Sequence, residues 1–247
     1  MTCPVLLLAV VLVMGAVNVA TNRLPQPWYV PVCVLGSIAL LVLAWLDSLS
    51  ASDLGVGRGT VLPGVLWAVL IVLVVVVGYA VAAALPRARG AFADRRAMGA
   101  SGQAVALRVL VAIPFGTVLL EETAFRGVLF GMVSVRYGTG WAVCGTSVLF
   151  GLWHVLPARA MHASHDGVAK MLGRDRRGHL LAVLTTVLFT TAGGFVFVLL
   201  RLWSDSLLPP IGLHWALNGM GVAVVWWLAQ RSSSRRDVAN SGPSEQN

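Results

Sequence analysis

Charge is what this chain has least of. Asp, Glu, Lys and Arg make up 11% of its 247 residues, where a soluble domain carries roughly 25%. Hydrophobic residues reach 57% and the mean hydropathy is +0.82. Together these exclude an ordinary soluble domain and define an integral membrane protein. Lysine is nearly absent: Lys170 stands alone against 17 arginines. The three cysteines, Cys3, Cys33 and Cys144, lie in apolar runs. They form no metal-ligand spacing and no disulfide framework. There is no glycine-rich phosphate loop, no internal repeat and no His-Glu-x-x-His helix. The net charge of +8 would suggest nucleic acid in a soluble protein. In a membrane protein it reads instead as cytoplasmic loop anchors, with no nucleic-acid partner.

What the chain does have is long apolar runs. Segments of about 17–25 apolar residues cross a bilayer, and seven are present: 4–21, 27–46, 61–85, 108–134, 139–157, 180–202 and 209–229. The expected fold is an all-α bundle of about seven transmembrane helices around a buried polar site. The first run ends Val17-Asn18-Val19-Ala20, a tolerable cleavage site, but no basic residue precedes it. It is read as an uncleaved span. Seven spans sort most of the basic residues to one side, leaving Arg58, Arg136 and Arg201 on the other. Arg23, Arg87, Arg89, Arg95 and Arg96 fall on the first side, as do the loop 158–179 and the tail with Arg231, Arg235 and Arg236. The positive-inside rule makes this a multi-pass protein of the cell membrane with a cytoplasmic C-terminus. Residues 1–103 supply N-terminal spans, 104–230 a helical core, and 231–247 a polar tail expected to be disordered.

Few ionisable groups interrupt the spans, and two are adjacent: Glu121 and Glu122 in the fourth. Ionisable groups within a membrane face a bundle interior or a wet cavity, and they mark function by default. Glu122 and Arg126 are four residues apart, in the favourable order for an ion pair on one helix face. Glu121 points about 100° away and has only Phe125 at i+4. The expectation is a structural pair, Glu122–Arg126, and a free carboxylate at Glu121 able to act as a general base. The bland alternative, with both carboxylates merely joining helices, is about equally compatible with this one segment.

Two later spans each carry a histidine. His154 closes the fifth, one turn after Phe150. His214 lies in the seventh, with Asn218 one turn on. His214 and Asn218 can both donate hydrogen bonds, so they can clamp an oxyanion or simply link helices. His162, His165 and His179 fall in the polar loop and read as solvated. On these span limits Glu121 is near mid-membrane, with His154 towards one end and His214 towards the other. A single site therefore needs tilted or broken helices, and Pro114 and Gly116 are where the fourth span would break.

In order, the motifs are Glu121-Glu122-Thr123-Ala124-Phe125-Arg126, Phe150-Gly151-Leu152-Trp153-His154 and His214-Trp215-Ala216-Leu217-Asn218. This set resembles the CPBP family of membrane proteases, which includes CAAX prenyl endopeptidases and bacteriocin-processing or self-immunity proteins. The resemblance covers roughly 104–229. It implies an intramembrane endopeptidase acting on a peptide or membrane-protein substrate. Glu121 with His154 would activate water, and His214 with Asn218 would hold the oxyanion. A metal reading stays open: Glu121, His154 and His214 match the His₂Glu set of catalytic zinc sites. Two other functions also stay open, a non-catalytic peptide-binding or bacteriocin self-immunity protein and a proton-coupled transporter.

Overall fold

A computed structural model describes residues 4–87, 100–164 and 175–240. Seven helices among them are long and apolar enough to cross a membrane. Helix is the expected answer, because a lipid-exposed backbone must satisfy its own hydrogen bonds. The elements are α1 (Pro4–Arg23), α2 (Tyr29–Leu46, entered through a 3₁₀ turn at Gln26–Trp28), α3 (Arg58–Ala84), α4 (Gly102–Tyr137), α5 (Thr139–Trp153), α6 (Val155–Ser164), α7 (Arg176–Ser204) and α8 (Leu208–Asn240). The fold is an all-α membrane bundle.

Helix α4 is the axis of the bundle. It is not a regular α-helix: Arg108–Val118 and Thr123–Leu129 are π-helical, and the short α-helical turn Leu119–Glu122 lies between them. Pro114 sits inside the first π segment, where a ring without an N–H disturbs the ordinary ladder. The carboxylate pair thus falls on the one α-helical turn between two widened stretches. Such π segments occur frequently at functional sites. The interior forms around the second stretch. Ala124, Phe125, Val128, Leu129 and Met132 are buried against Val10 of α1, Cys33 and Leu40 of α2, Phe150 of α5 and Phe197 of α7.

Indole and phenol groups tie the outer helices to the bundle. Trp215 Nε1 of α8 donates to Val109 O, at 3.0 Å, within the first π segment. Trp226 Nε1 donates to Ala100 O at 2.9 Å, and Tyr79 Oη of α3 donates to Leu217 O at 3.0 Å. The loop after α2 is held by buried Arg201 of α7, whose Nη2 donates to Ser52 O and Asp53 O at 3.0 and 3.2 Å.

Two stretches differ from expectation. Helix α8 continues to Asn240, past Ser232, where composition predicts a disordered tail. Adding residues to a helix already nucleated costs little, so a polar sequence can extend one. The stretch expected as a loop from 158 to 179 instead begins within α6 and ends within α7. His162 lies in α6 and His179 in α7, while His165, Arg89, Arg95, Arg96 and 241–247 are outside the described residues.

Candidate active site

Glu122 is fully buried, and its Oε1 accepts from two groups. Arg126 Nη1 reaches it at 3.2 Å, the expected i,i+4 pair, and His214 Nδ1 of α8 reaches it at 2.7 Å. A carboxylate only accepts, so with Glu122 ionised Nδ1 of His214 carries the hydrogen. Arg126 is 1% exposed. Its guanidinium lies over the rings of Phe150 and Phe197, 4.0 and 4.7 Å from their centroids, a cation–π arrangement that offsets part of its desolvation. Phe197 also stacks on His214, at 5.1 Å and 22°. Glu122 therefore does more than pair with Arg126: it orients the imidazole of α8.

Glu121 looks the other way. Trp153 Nε1 of α5 donates to its Oε1 at 3.0 Å. Its Oε2 lies 3.7 Å from His214 Nε2 and has no hydrogen-bond partner among the described residues. A gap of 3.7 Å is too long for a direct bond, and polar groups at that range are commonly bridged by water. The two oxygens are thus separated in role: one is tethered, the other faces an imidazole. Glu121 also lines a cavity of ≈ 210 Å³ with Asn18, Tyr29, Cys33, Thr117 and Trp153.

His154 stands just past the end of α5. Its Nδ1 is 2.8 Å from Phe150 O. A carbonyl cannot donate, so Nδ1 carries the hydrogen and the neutral ring keeps Nε2 as an acceptor. His154 and His214 both pack edge-on against the Phe150 ring, at 4.8 and 6.2 Å between centroids. The two histidines therefore both contact one side chain rather than lying at opposite membrane faces. Asn218 is exposed and makes no hydrogen bond to Glu121, Glu122 or either histidine among the described residues. Of the four residues expected to converge, the structure sets Glu121 and His214 3.7 Å apart, places His154 against the Phe150 ring that His214 also contacts, and leaves Asn218 exposed.

Three neighbours carry no expectation from sequence. Trp153 tethers Glu121. Asn18 of α1 donates from Nδ2 to Trp153 O at 3.0 Å and so braces that tether. Phe197 backs His214. Asn18 gave the same signal as Glu121, a polar residue in an apolar run, but it sits in a stretch that also reads as a cleavage site. Phe197 gives no signal, since one more aromatic residue in an apolar helix is unremarkable.

A metal would need three converging donors. Among the described residues, no three His, Cys, Asp or Glu side chains stand close enough to hold one ion. Nδ1 of His214 and Oε1 of Glu121 are already engaged. Glu121, His154 and His214 as they stand do not fit a metal triad.

Residues 103–220, which contain both carboxylates and both histidines, match the family model described as type II CAAX prenyl endopeptidase Rce1-like. That segment, just under half of the chain, is similar to this family of membrane-embedded endopeptidases. No curated protein and no solved structure matches the chain.

Proposed function

We propose that the protein hydrolyses a peptide bond of a membrane-associated protein or peptide, with water activated at Glu121. The observation that carries this reading is the division of labour between adjacent carboxylates. Glu122 is held through Oε1 by both Arg126 and His214 and lines no described cavity, whereas Glu121 is tethered only by the Trp153 indole, lines a cavity and has Oε2 near an imidazole. Glu121 Oε2 takes a proton from water, and the water oxygen attacks the scissile carbonyl. His154, with its acceptor Nε2, assists by receiving or passing that proton. His214, held by Glu122, presents Nε2 towards the developing oxyanion. This role needs an N–H at Nε2, hence a doubly protonated ring. Asn218 adds a second donor one turn further along α8, where it is open to an incoming chain. The proton on Glu121 then passes to the leaving amine.

Comparison of membrane proteomes from cells carrying the wild type or Glu121→Ala tests the function. The wild type is expected to yield cleaved fragments that are missing from the variant. Identical fragment patterns at equal expression would remove the endopeptidase reading.

The same reading puts 158–179 and 231–247 on the cytoplasmic side, on the strength of the arginine asymmetry. Cysteines introduced at either place should resist an impermeant thiol reagent in intact cells. Labelling of both from outside would invert the topology.

A further inference from the structure

Two cavities meet at one side chain pair. The first is the ≈ 210 Å³ cavity that contains Glu121. The second, of ≈ 760 Å³, runs beside the first π segment of α4 and is lined by Pro27, Arg108, Val111 and Ala112 among others. Tyr29 and Thr117 line both. They are hydrogen-bonded to each other, Tyr29 Oη to Thr117 Oγ1 at 2.8 Å. The wall between the cavities is thus a latched aromatic ring.

The backbone is built to seat that ring. Gly116 precedes Thr117, and a Cβ there would come within 2.6 Å of Tyr29 Cε1. Only glycine leaves room for the phenol ring to come this close to α4 at this point. Behind the ring, Cys33 lies one turn along α2, lines the smaller cavity and is 0% exposed. The larger space is an open groove leading from the start of α2. A water's share of volume is about 30 Å³, so the smaller cavity has room for more than the attacking water.

Resting on the endopeptidase reading, we infer that Tyr29 is a specificity-determining partition. The substrate's extended chain lies in the larger groove, and Tyr29 sets the size of the one side chain that enters the cavity beside Glu121. Continuity with the Glu121 cavity names the occupant, because a groove sharing a wall with the reacting carboxylate is the route by which a chain reaches it. Tyr29 and Cys33 fall before residue 103, outside the segment that matches the family. The ring of the wall therefore comes from the N-terminal helices of this chain, where selectivity can vary while its Thr117 latch and the Glu121–His214 centre stay the same.

The test has two arms, the first of which needs no activity. In a background with Cys3 and Cys144 replaced by Ser, purified protein is treated with a water-soluble maleimide. Tyr29→Ala should label at Cys33 about tenfold faster or more than the parent, since thiol reactivity follows access. Tyr29→Phe, which keeps the ring, should label less than Tyr29→Ala. Equal rates in a Tyr29→Ala variant with unchanged thermal unfolding would overturn the partition. Should Tyr29→Ala not fold, Tyr29→Val carries the same comparison. The second arm measures kcat/KM on a peptide series differing in one side chain next to the cleaved bond. Tyr29→Ala should shift the large-to-small preference by about tenfold or more, the scale on which pocket size discriminates. Cleavage by both proteins with an unchanged preference would overturn the specificity role. Faster labelling together with no cleavage by the wild type would sink the endopeptidase reading while leaving the partition in place.

Discussion

Helices α3 and α4 are both long, apolar and membrane-spanning, yet they solve different problems. In α3 only Gly64 and Ala83 are buried. Most of its side chains point outward, where lipid tails lie, and one half-buried stripe packs on α8. In α4 the run from Leu120 to Met132 is buried without interruption. It holds two carboxylates and an arginine, and it departs twice from α-helical geometry. Apolar composition alone gives a helix that floats at the edge. A charged cluster forces its helix to the centre, because only there do other helices supply partners. The same cluster then sets what its neighbours must carry: a tryptophan from α5, a histidine from α8 and a phenylalanine from α7.

Substitutions should separate the two helices sharply. The largest effect is expected inside α4, at Glu122→Ala or Arg126→Ala. Each strands a buried charge, at a cost of about 3–5 kcal/mol, to be read as a large drop in thermal unfolding temperature in detergent. If both variants unfold with the wild type, the cluster does not hold the centre together. A middling effect is expected at Trp153→Phe, which keeps the ring but removes the N–H given to Glu121. Hydrogen bonds to charged groups contribute about 1.5–3 kcal/mol, so cleavage should fall about tenfold or more with the fold retained. Unchanged kcat/KM would mean that the tether does not orient Glu121. The smallest effect is expected on α3, where Leu70→Val and Leu73→Val sit at outward positions, 48% and 56% exposed. Each should stay within about 0.5 kcal/mol, and a larger loss would show that these outward positions pack against something beyond lipid.

The same contrast explains what could be read from the sequence. The seven spans were legible because bilayer thickness dictates their length. The carboxylates, histidines and the Glu122–Arg126 pair were legible because polar groups in hydrocarbon are costly and the i,i+4 spacing is local. Pro114 and Gly116 pointed to a break in the fourth span, and the break takes the form of π-helix around the carboxylates. Contacts between helices were not legible. Nothing in the spacing says that Glu122 serves His214 as well as Arg126, or that Asn18 braces Trp153 across 135 residues. Asn218 shows the limit of local reasoning. It shares a face with His214 by spacing, yet it is exposed because the packing around α8 decides which turns are covered.

The central claim is that the neighbouring carboxylates have different jobs, Glu121 chemical and Glu122 structural. Cleavage of a peptide substrate by purified wild type, Glu121→Gln and Glu122→Gln in proteoliposomes, with thermal unfolding measured alongside, tests it most directly. The account predicts that Glu121→Gln keeps its unfolding temperature and loses activity by about 10²-fold or more, the scale of general-base catalysis. Glu122→Gln should lose stability together with activity. Normal turnover by a folded Glu121→Gln variant would contradict the account.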